Sequence, residues 1–534
     1  MERIAPWWQR SVVYHIYPRS FQDGNGDGIG DLAGIEQRLD YLTWLGIDAI
    51  WISPIYPSPM KDFGYDVSDY TGIEPVFGTM EDFDRLLEAV HDRDMRLILD
   101  WVPNHTSDQH PWFVDARSSR NSAKRDWYIW RDPAPDGGPP NNWQSQAGGS
   151  AWELDEGSGQ YYYHAFMPQQ PDLNWRNPAV RKAMYDTLRF WLDKGVDGFR
   201  VDVIWHLMKD PEFRDDPENP LWHEGLPPFQ KVQPLHSTDQ PDVHSVVREM
   251  RAVLEEYQGD RLLIGEIYLP IERLVAYYGE NLSGAHLPFN FQLISTEWDA
   301  ESIARLVREY EAALPVGGWP NWVLGNHDQP RIASRVGPAQ ARVAAMLLLT
   351  LRGTPTLYYG DELGLSNVPI PDEIAQDPFG LRMPGTGQGR DPERTPMPWD
   401  ETPNSGFTSG RPWLPIGEEN ASLSVATQRN EASSMLSLVR SLLRVRHDNQ
   451  ALCMGNWAPI AVEADVLVYL RRSGEQRILV ALNLDPMPKA VLFRHEPVNG
   501  RILLSTHLDR AGEALDGELS LRADEGIVIE LRNP

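Results

Sequence analysis

Apolar and polar positions along this chain switch repeatedly between two periods. Short continuous apolar runs rich in β-branched residues read as buried strands: VVYHIYP (12–18), IDAIWIS (47–53), RLILDWV (96–102), GFRVDV (198–203), LLIGEI (262–267), FNFQLI (289–294), NWVLGN (321–326) and TPTLYYG (354–360). Between them the spacing is helical. Leu32, Ile35, Leu39, Leu42 and Leu45 share a helix face, and Gly46 stands at the C-terminal cap position. Thr79 is placed to cap a helix carrying Phe83, Leu86, Leu87 and Val90. Asn177-Pro178 opens another carrying Val180, Met184, Leu188, Trp191 and Leu192. Continuous apolar strands alternating with amphipathic helices imply an α/β fold whose parallel sheet is covered on both faces, and eight such units predict a closed (β/α)8 TIM barrel.

Two stretches break the alternation. Residues 105–174, rich in Trp, Tyr, Gly and Pro, are far too long for an ordinary βα loop and predict a subdomain inserted after the third strand. A second irregular stretch, about 364–420, follows the eighth strand on the same barrel face. After a helix around Ser434 to Arg446 the period becomes two, in DVLVYLRR, RILVALNL, KAVLFRHE, RILLSTHL and GIVIELR, which predicts a C-terminal antiparallel β-sandwich. The expected units are 1–104 (barrel, first part), 105–174 (insertion), 175–450 (barrel, second part) and 451–534 (sandwich).

Composition narrows the partners. Lys plus Arg number 49 against 77 Asp plus Glu, a net charge of −28, which disfavours nucleic acid and anionic membrane surfaces. Cys453 is the single cysteine, so no internal disulfide framework exists and a reducing compartment fits. The opening MERIAPWWQRSVVYHIYPRSF lacks an apolar core with a small-residue cleavage site, and no later apolar run approaches the ~20 residues that span a bilayer. The expectation is a soluble, cytoplasmic protein, monomer or homodimer. The 20 tryptophans offer flat faces for sugars, but large folds also bury Trp for its area.

The chemistry lies at the strand ends. Asp100, Asp202, Glu266 and Asp328 each stand where an apolar run finishes, the face on which barrel active sites are built. A lone Asp in so acidic a chain is ordinarily a surface ion pair; four at one position relative to successive strands point to a shared site. Arg200 and Asp202, two apart on a strand, leave the same face, so the guanidinium is expected to hold Asp202 ionised as a nucleophile. Glu266, behind Leu262, Leu263, Ile264 and Gly265, is expected to be desolvated toward a proton donor, with Asp328 as a third negative group. That combination performs retaining glycoside hydrolysis.

DWVPNH (100–105), GFRVDV (198–203), GEIY (265–268) and LGNHD (324–328) resemble the four sequence regions of the α-amylase superfamily, glycoside hydrolase family thirteen. QPDLN (170–174), IDAIWISPIYPSP (47–59) and GTPTLYYGDELG (353–364) resemble its accessory regions. MKDFGYDVSDY (60–70), QPDLN and RTPMPWD (394–400) are similar to the α-glucosidase and oligo-1,6-glucosidase branch. The resemblance implies Asp202 as nucleophile, Glu266 as general acid/base and Asp328 as transition-state stabiliser. It further implies that Tyr65 stacks on a terminal glucose while Asp62, His105, Arg200, His327 and Arg390 hold its hydroxyls, with Phe166 and Gln170 lining the pocket. Tyr65 could equally be a core aromatic and Asp62 with Arg390 a structural ion pair. Arg394 competes with Arg390 for the sugar, both lying in GRDPERTP; motif position selects Arg390.

Asp23, Asn25, Asp27, Ile29 and Asp31 alternate through DGNGDGIGD with oxygen-only ligand spacing, Gly28 at the sharp turn and Ile29 offering its carbonyl. The alternative is a solvated acidic turn, since the terminal Glu of the full consensus is missing. The resembling branch carries a structural Ca2+ or Mg2+ here. No organic cofactor is implied, and no His or Cys pair shows zinc spacing.

The expected activity is an exo-acting, retaining α-glucosidase on short α-glucosides of the maltose, isomaltose and sucrose class. Transglucosylation or sucrose isomerisation on the same site is the alternative. A non-catalytic interaction partner of this fold is the weakest reading, because all three acids are kept. Val203, after the expected nucleophile, leans toward α-1,6 linkages by resemblance; a shape effect of one β-branched residue amounts to ~1–3 kcal/mol.

Overall fold

A computed structural model describes residues 5–463, 466–492 and 499–532. Its centre is a sheet of eight parallel strands: β1 (Val13–Ile16), β2 (Ala49–Ile52), β3 (Arg96–Trp101), β4 (Gly198–Val201), β5 (Leu262–Gly265), β6 (Leu287–Pro288), β7 (Asn321–Val323) and β8 (Thr354–Tyr358). Strands β1 to β6 pair in succession, β8 pairs with both β1 and β7, and no ladder joins β6 to β7 among the described residues. The sheet is thus a nearly closed barrel. Trp51, Ile98, Leu262, Ile264, Leu287, Phe289 and Val323 fill its interior, and the outward residues pack beneath the helices.

The helix signals act as their chemistry requires. Thr79 and Asp82 form a reciprocal capping box, and Asn177 caps the helix Pro178–Lys194. Gly46 ends its helix at φ 100°, where a Cβ would be strained. The segment read as one helix over 32–45 is two, Leu32–Gln37 and Leu39–Leu45, broken at Arg38 (φ −103°, ψ 3°), whose guanidinium lies 4.1 Å from the Trp399 ring centre. The sixth strand also departs from expectation. It lies at Leu287–Pro288, and FNFQLI instead turns into the short helix Gln292–Ser295. Asn290 Oδ1 accepts from Gln292 N and bends the chain there, while Phe289 and Phe291 enter the same apolar cluster, so a buried turn carries a strand-like composition.

The stretch after β3 holds a three-stranded antiparallel sheet, Trp130–Arg131, Gln160–Tyr163 and Trp152–Asp155, around Trp143, Trp152 and Tyr163. Its return segment is bonded to the end of β3: Leu173 N donates to Asn104 O at 2.9 Å, and Asn104 Nδ2 to Asp172 Oδ2 at 2.9 Å. The C-terminal part is a six-stranded antiparallel sheet facing a two-stranded one. Period two divides its strands: Val466, Val468 and Leu470 face the small sheet, while Leu467 and Tyr469 join the barrel's outer core. Of KAVLFRHE, Lys489–Leu492 is a strand and 493–496 lie outside the described residues. Among the described residues no helix is long and apolar enough to cross a membrane.

Candidate functional site

Strand register builds the site. Asp100 on β3 stands opposite Arg200 on β4, and Val201 opposite Gly265 on β5, which brings Asp202 and Glu266 side by side at the C-terminal rim. Asp202 N donates to Trp101 O at 2.8 Å and Glu266 N to Val201 O at 3.0 Å, so both acids leave the sheet while their backbones remain paired.

Arg200 is fully buried and is the hub. Its Nη1 donates to Asp100 Oδ1 at 2.8 Å and to Asp202 Oδ1 at 2.7 Å. Nη2 lies 2.7 Å from Glu266 Oε2, with the closeness of an ion pair but without hydrogen-bond alignment. Asp100 Oδ2 also accepts from Tyr65 OH (2.9 Å) and Trp51 Nε1 (3.2 Å). One cation therefore serves three buried carboxyls. Burial raises Asp202 well above the usual carboxylate range; Arg200 opposes this, and Glu266 and Asp100 add to it. Glu266 is raised by burial against Arg200, and Asp100 is pushed up to about 6 by the same cause. Arg200 lies beside Asp202 as the strand spacing predicts and lowers its carboxyl, but the guanidinium is shared with Asp100 and Glu266, so burial and two neighbouring acids oppose that effect.

Asp328 has the opposite surroundings. Arg390 Nη1 reaches its Oδ1 at 3.1 Å and Arg394 Nη2 at 2.8 Å, while His327 Nε2 lies 3.2 Å from Oδ2. Burial would raise this carboxyl, but Arg390, Arg394 and Arg200 hold it below the ordinary range. His327 is kept neutral by burial and by the same arginines.

A cavity of about 940 Å³ opens over these groups, lined among others by Asp62, Tyr65, His105, Phe166, Gln170, Asp202, Glu266, His327, Asp328 and Arg390. Arg200 lies beneath it. Arg390 Nη2 donates to Asp62 Oδ1 at 2.7 Å and Gln170 Nε2 to Asp62 Oδ2 at 3.1 Å, which ties three segments of the cavity lining together. His105 Nε2 sits 3.0 Å from Tyr65 O and 3.2 Å from Gln170 Nε2, with the Phe166 ring 5.3 Å away. The Tyr65 ring runs parallel to His327 at 5.3 Å. Arg394 is buried behind, its Nε donating to His327 O at 2.7 Å, so of the two arginines it is Arg390 that faces the cavity.

Three residues had no role from sequence. Asp100 is one of the strand-end acids, yet its partner Arg200 is a hundred positions away and only pairing reveals it. Asp377, in the irregular stretch without periodicity, accepts from Arg390 N (3.0 Å), Nε (3.0 Å) and Nη2 (2.7 Å) and anchors that guanidinium. Tyr268 stacks on Phe291 at 4.2 Å and lines the cavity beside Glu266.

The DGNGDGIGD loop lies apart from this site. Asp23 oxygens accept from Asn25, Gly26 and Gly28 N, Asn25 Oδ1 from Asp27 N, and Asp27 Oδ1 from Ile29 N. Asp31 caps the following helix through Gly34 N. Gly28 has φ 96°, and a Cβ there would meet Arg411 O at 1.9 Å, so only glycine fits. Among the described residues no three His, Cys, Asp or Glu side chains converge as a finished metal cage. The donors are nonetheless all oxygen, and Asp31, raised chiefly by burial, is raised further by Asp23 and Asp27, a repulsion that a hard cation would relieve.

The model of the alpha-amylase catalytic domain matches residues 15–455. A probable alpha-glucosidase of Rhizobium meliloti (strain 1021) is 41% identical over 528 residues, covering 95% of both chains. An oligo-1,6-glucosidase of Heyndrickxia coagulans is 39% identical, covering 96% of this chain and 98% of that one. Among solved structures, the alpha-glucosyl transfer enzyme XgtA superposes with a TM-score of 0.93 at 40% identity, over 99% of this chain and 100% of that one. The barrel, its strand-end acids and these similarities agree, and the chain belongs to the alpha-amylase family of glycoside hydrolases.

Proposed function

We propose that this chain is a retaining, exo-acting α-glucosidase that releases α-D-glucose from the non-reducing end of short α-glucosides. One observation carries the reading: a single guanidinium, Arg200, holds both Asp202 and Glu266 beneath the cavity. Two carboxyls tied to one planar group favour the ~5 Å spacing of direct displacement over the ~6.5–9.5 Å that leaves room for an attacking water. In this reading Asp202 attacks the anomeric carbon while Glu266 protonates the departing oxygen; Glu266 then takes a proton from the water that releases the sugar. The dyad needs one proton between its two members, and burial around the shared Arg200 raises both carboxyls and so favours keeping one. Asp328, ionised by its two arginines, faces the positive charge that develops on the sugar ring.

Exo action is supported by the Asp62–Arg390 pair, which joins two segments of the cavity lining. Tyr65 offers its ring, and Asp62, His105, His327 and Arg390 their polar atoms, to a single terminal glucose. Substrates of the maltose, isomaltose and sucrose class match this size. Transfer to a second sugar is the finer alternative, supported by the similarity to an alpha-glucosyl transfer enzyme and by a cavity roomy enough for an acceptor beside the glucose.

A structural Ca2+ or Mg2+ belongs to the same reading: Asp23, Asn25, Asp27, Asp31 and the Ile29 carbonyl would hold it. It would supply charge neutralisation to the loop after β1 and no chemistry. A cytoplasmic location is supported by the single cysteine, Cys453, which leaves the chain without an internal disulfide framework.

The test is a time course on maltose, isomaltose, sucrose and an aryl α-glucoside, with the anomer followed by NMR. Prompt α-glucose is expected. Initial β-glucose would exclude Asp202 as nucleophile, and oligosaccharides with little free glucose would establish transfer instead.

A further inference from the structure

The cavity holds one carboxyl that the proposed chemistry does not use. Glu393, at the end of the 3-10 turn Asp391–Glu393, lines the cavity with Asp328, yet is only 3% exposed. It makes no ion pair among the described residues. Its side chain accepts from Asn367 Nδ2 at 3.1 Å, and its backbone carbonyl accepts from Tyr358 OH at 3.1 Å. Asn367, which also lines the cavity, is fixed from behind, its Oδ1 accepting from Arg331 N at 2.8 Å. Burial pushes the Glu393 carboxyl up to about 8, against the pull of Arg394. An acid kept neutral in this way can both donate and accept a hydrogen bond.

A buried carboxyl that makes no ion pair among the described residues is costly to keep charged, and Arg394 offsets that cost only in part. Glu393 shares no hydrogen bond with Asp62, His105, His327 or the Arg390 guanidinium among the described residues, so it is not part of the hydrogen-bonded set proposed to hold the terminal glucose. It is fixed instead to Asn367, beside the segment that continues from Asp328 to Arg331.

We infer that Glu393, oriented by Asn367, is a specificity residue that hydrogen-bonds a hydroxyl of the leaving or accepting molecule, and so favours polyhydroxylated aglycones over apolar ones. This inference rests on the α-glucosidase reading.

The experiment compares kcat/KM for isomaltose and maltose with that for an aryl α-glucoside whose leaving group carries no hydroxyl. In Glu393→Ala the disaccharide-to-aryl ratio is expected to fall about tenfold, the worth of one hydrogen bond, while Glu393→Gln, which keeps a donor and an acceptor, stays within about threefold of the parent. A ratio unchanged in Glu393→Ala, whether both substrates hold or both decline, overturns the inference and leaves the functional reading intact. If Glu393→Ala does not fold, Asn367→Ser reads the same ratio with the carboxyl in place, and an unchanged ratio there overturns it equally. A parent protein that cleaves neither substrate overturns both readings.

Discussion

Val203 donates its backbone N–H to Glu266 Oε2 at 2.8 Å from a left-handed conformation, φ 37° and ψ 47°. A β-branched residue is strained there by ~1–3 kcal/mol and persists only where surrounding contacts fix it. Asp202 is the preceding residue and its backbone is held by the end of β3, so the turn that follows it delivers a donor to the neighbouring acid. One strained residue thus links the two carboxyls of the proposed dyad through the main chain.

Because that donor is backbone, Val203→Thr should keep it. The isosteric side chain changes only the wall of the cavity, and we expect the isomaltose-to-maltose ratio of kcat/KM to shift by about tenfold toward maltose with the melting temperature within a few degrees. Val203→Pro removes the N–H and forbids positive φ; turnover should be lost and stability should fall. Wild-type kinetics in the proline variant would dismiss the role given to this turn.

Arg200→Lys tests the hub. An ammonium cannot serve Asp100, Asp202 and Glu266 at once as the planar guanidinium does, so kcat should fall by at least ~100-fold and unfolding free energy by ~3 kcal/mol. Denaturant titration and single-substrate kinetics read the two effects separately. Normal values for both would remove the account of the cluster.

The raised acids fix the sign of the pH dependence. Glu266 retains its proton at pH values where an exposed glutamate has lost it, so kcat/KM should decline on the basic side as the dyad ionises. Glu266→Gln should abolish that limb and lower kcat/KM on disaccharides by ~10²–10⁴, with a smaller loss on an activated aryl glucoside. Stability has a related sign. Asp100, pushed to about 6, and Asp361, which is buried in the turn after β8 with Arg331 Nη1 3.3 Å from its Oδ1 and is pushed to about 7, bind protons in the folded state that the unfolded chain has released. Their contribution is complete below the unfolded carboxylate range and is lost as pH rises through 6 to 7. In Asp361→Asn, the melting temperature relative to the parent should therefore increase between pH 5 and pH 8.

Asp377 fixes Arg390 from outside the substrate ring. Asp377→Asn removes its charge, and we expect KM for maltose to rise about fivefold with kcat changed less than threefold, because Arg390 keeps Asp62 and Asp328. A collapse of kcat with unchanged KM would place Asp377 in the chemistry instead.

Chelation tests the loop after β1. If Asp23 to Asp31 hold a divalent cation, treatment with EDTA should lower the melting temperature by several degrees, Ca2+ or Mg2+ should restore it, and kcat at 25 °C should be unchanged. An unaltered melting curve together with metal-free elemental analysis of the purified protein would identify the loop as a hydrogen-bonded acidic turn.

Much of this protein is written locally. Apolar runs of the right length set seven of the eight barrel strands, Thr79, Asn177 and Gly46 bound their helices, and Asp202, Glu266 and Asp328 declare themselves by following apolar runs, because each of these signals depends on neighbours a few residues away. What pairing in space decided was not legible in that way. The sixth strand was misplaced because a buried turn at Asn290 has the composition of a strand. The surroundings of Asp202 were not legible because Arg200 is shared with Asp100 and Glu266, and the number of acids around a cation is a property of register between strands. The anchoring of Arg390 by Asp377 and the isolation of Glu393 beside Asn367 come from a stretch without periodicity, placed only by packing over the barrel. Sequence alone determined the scaffold and pointed to the acids proposed to react; the electrostatic surroundings of those acids were decided by how many charges the fold brings into one volume with little water.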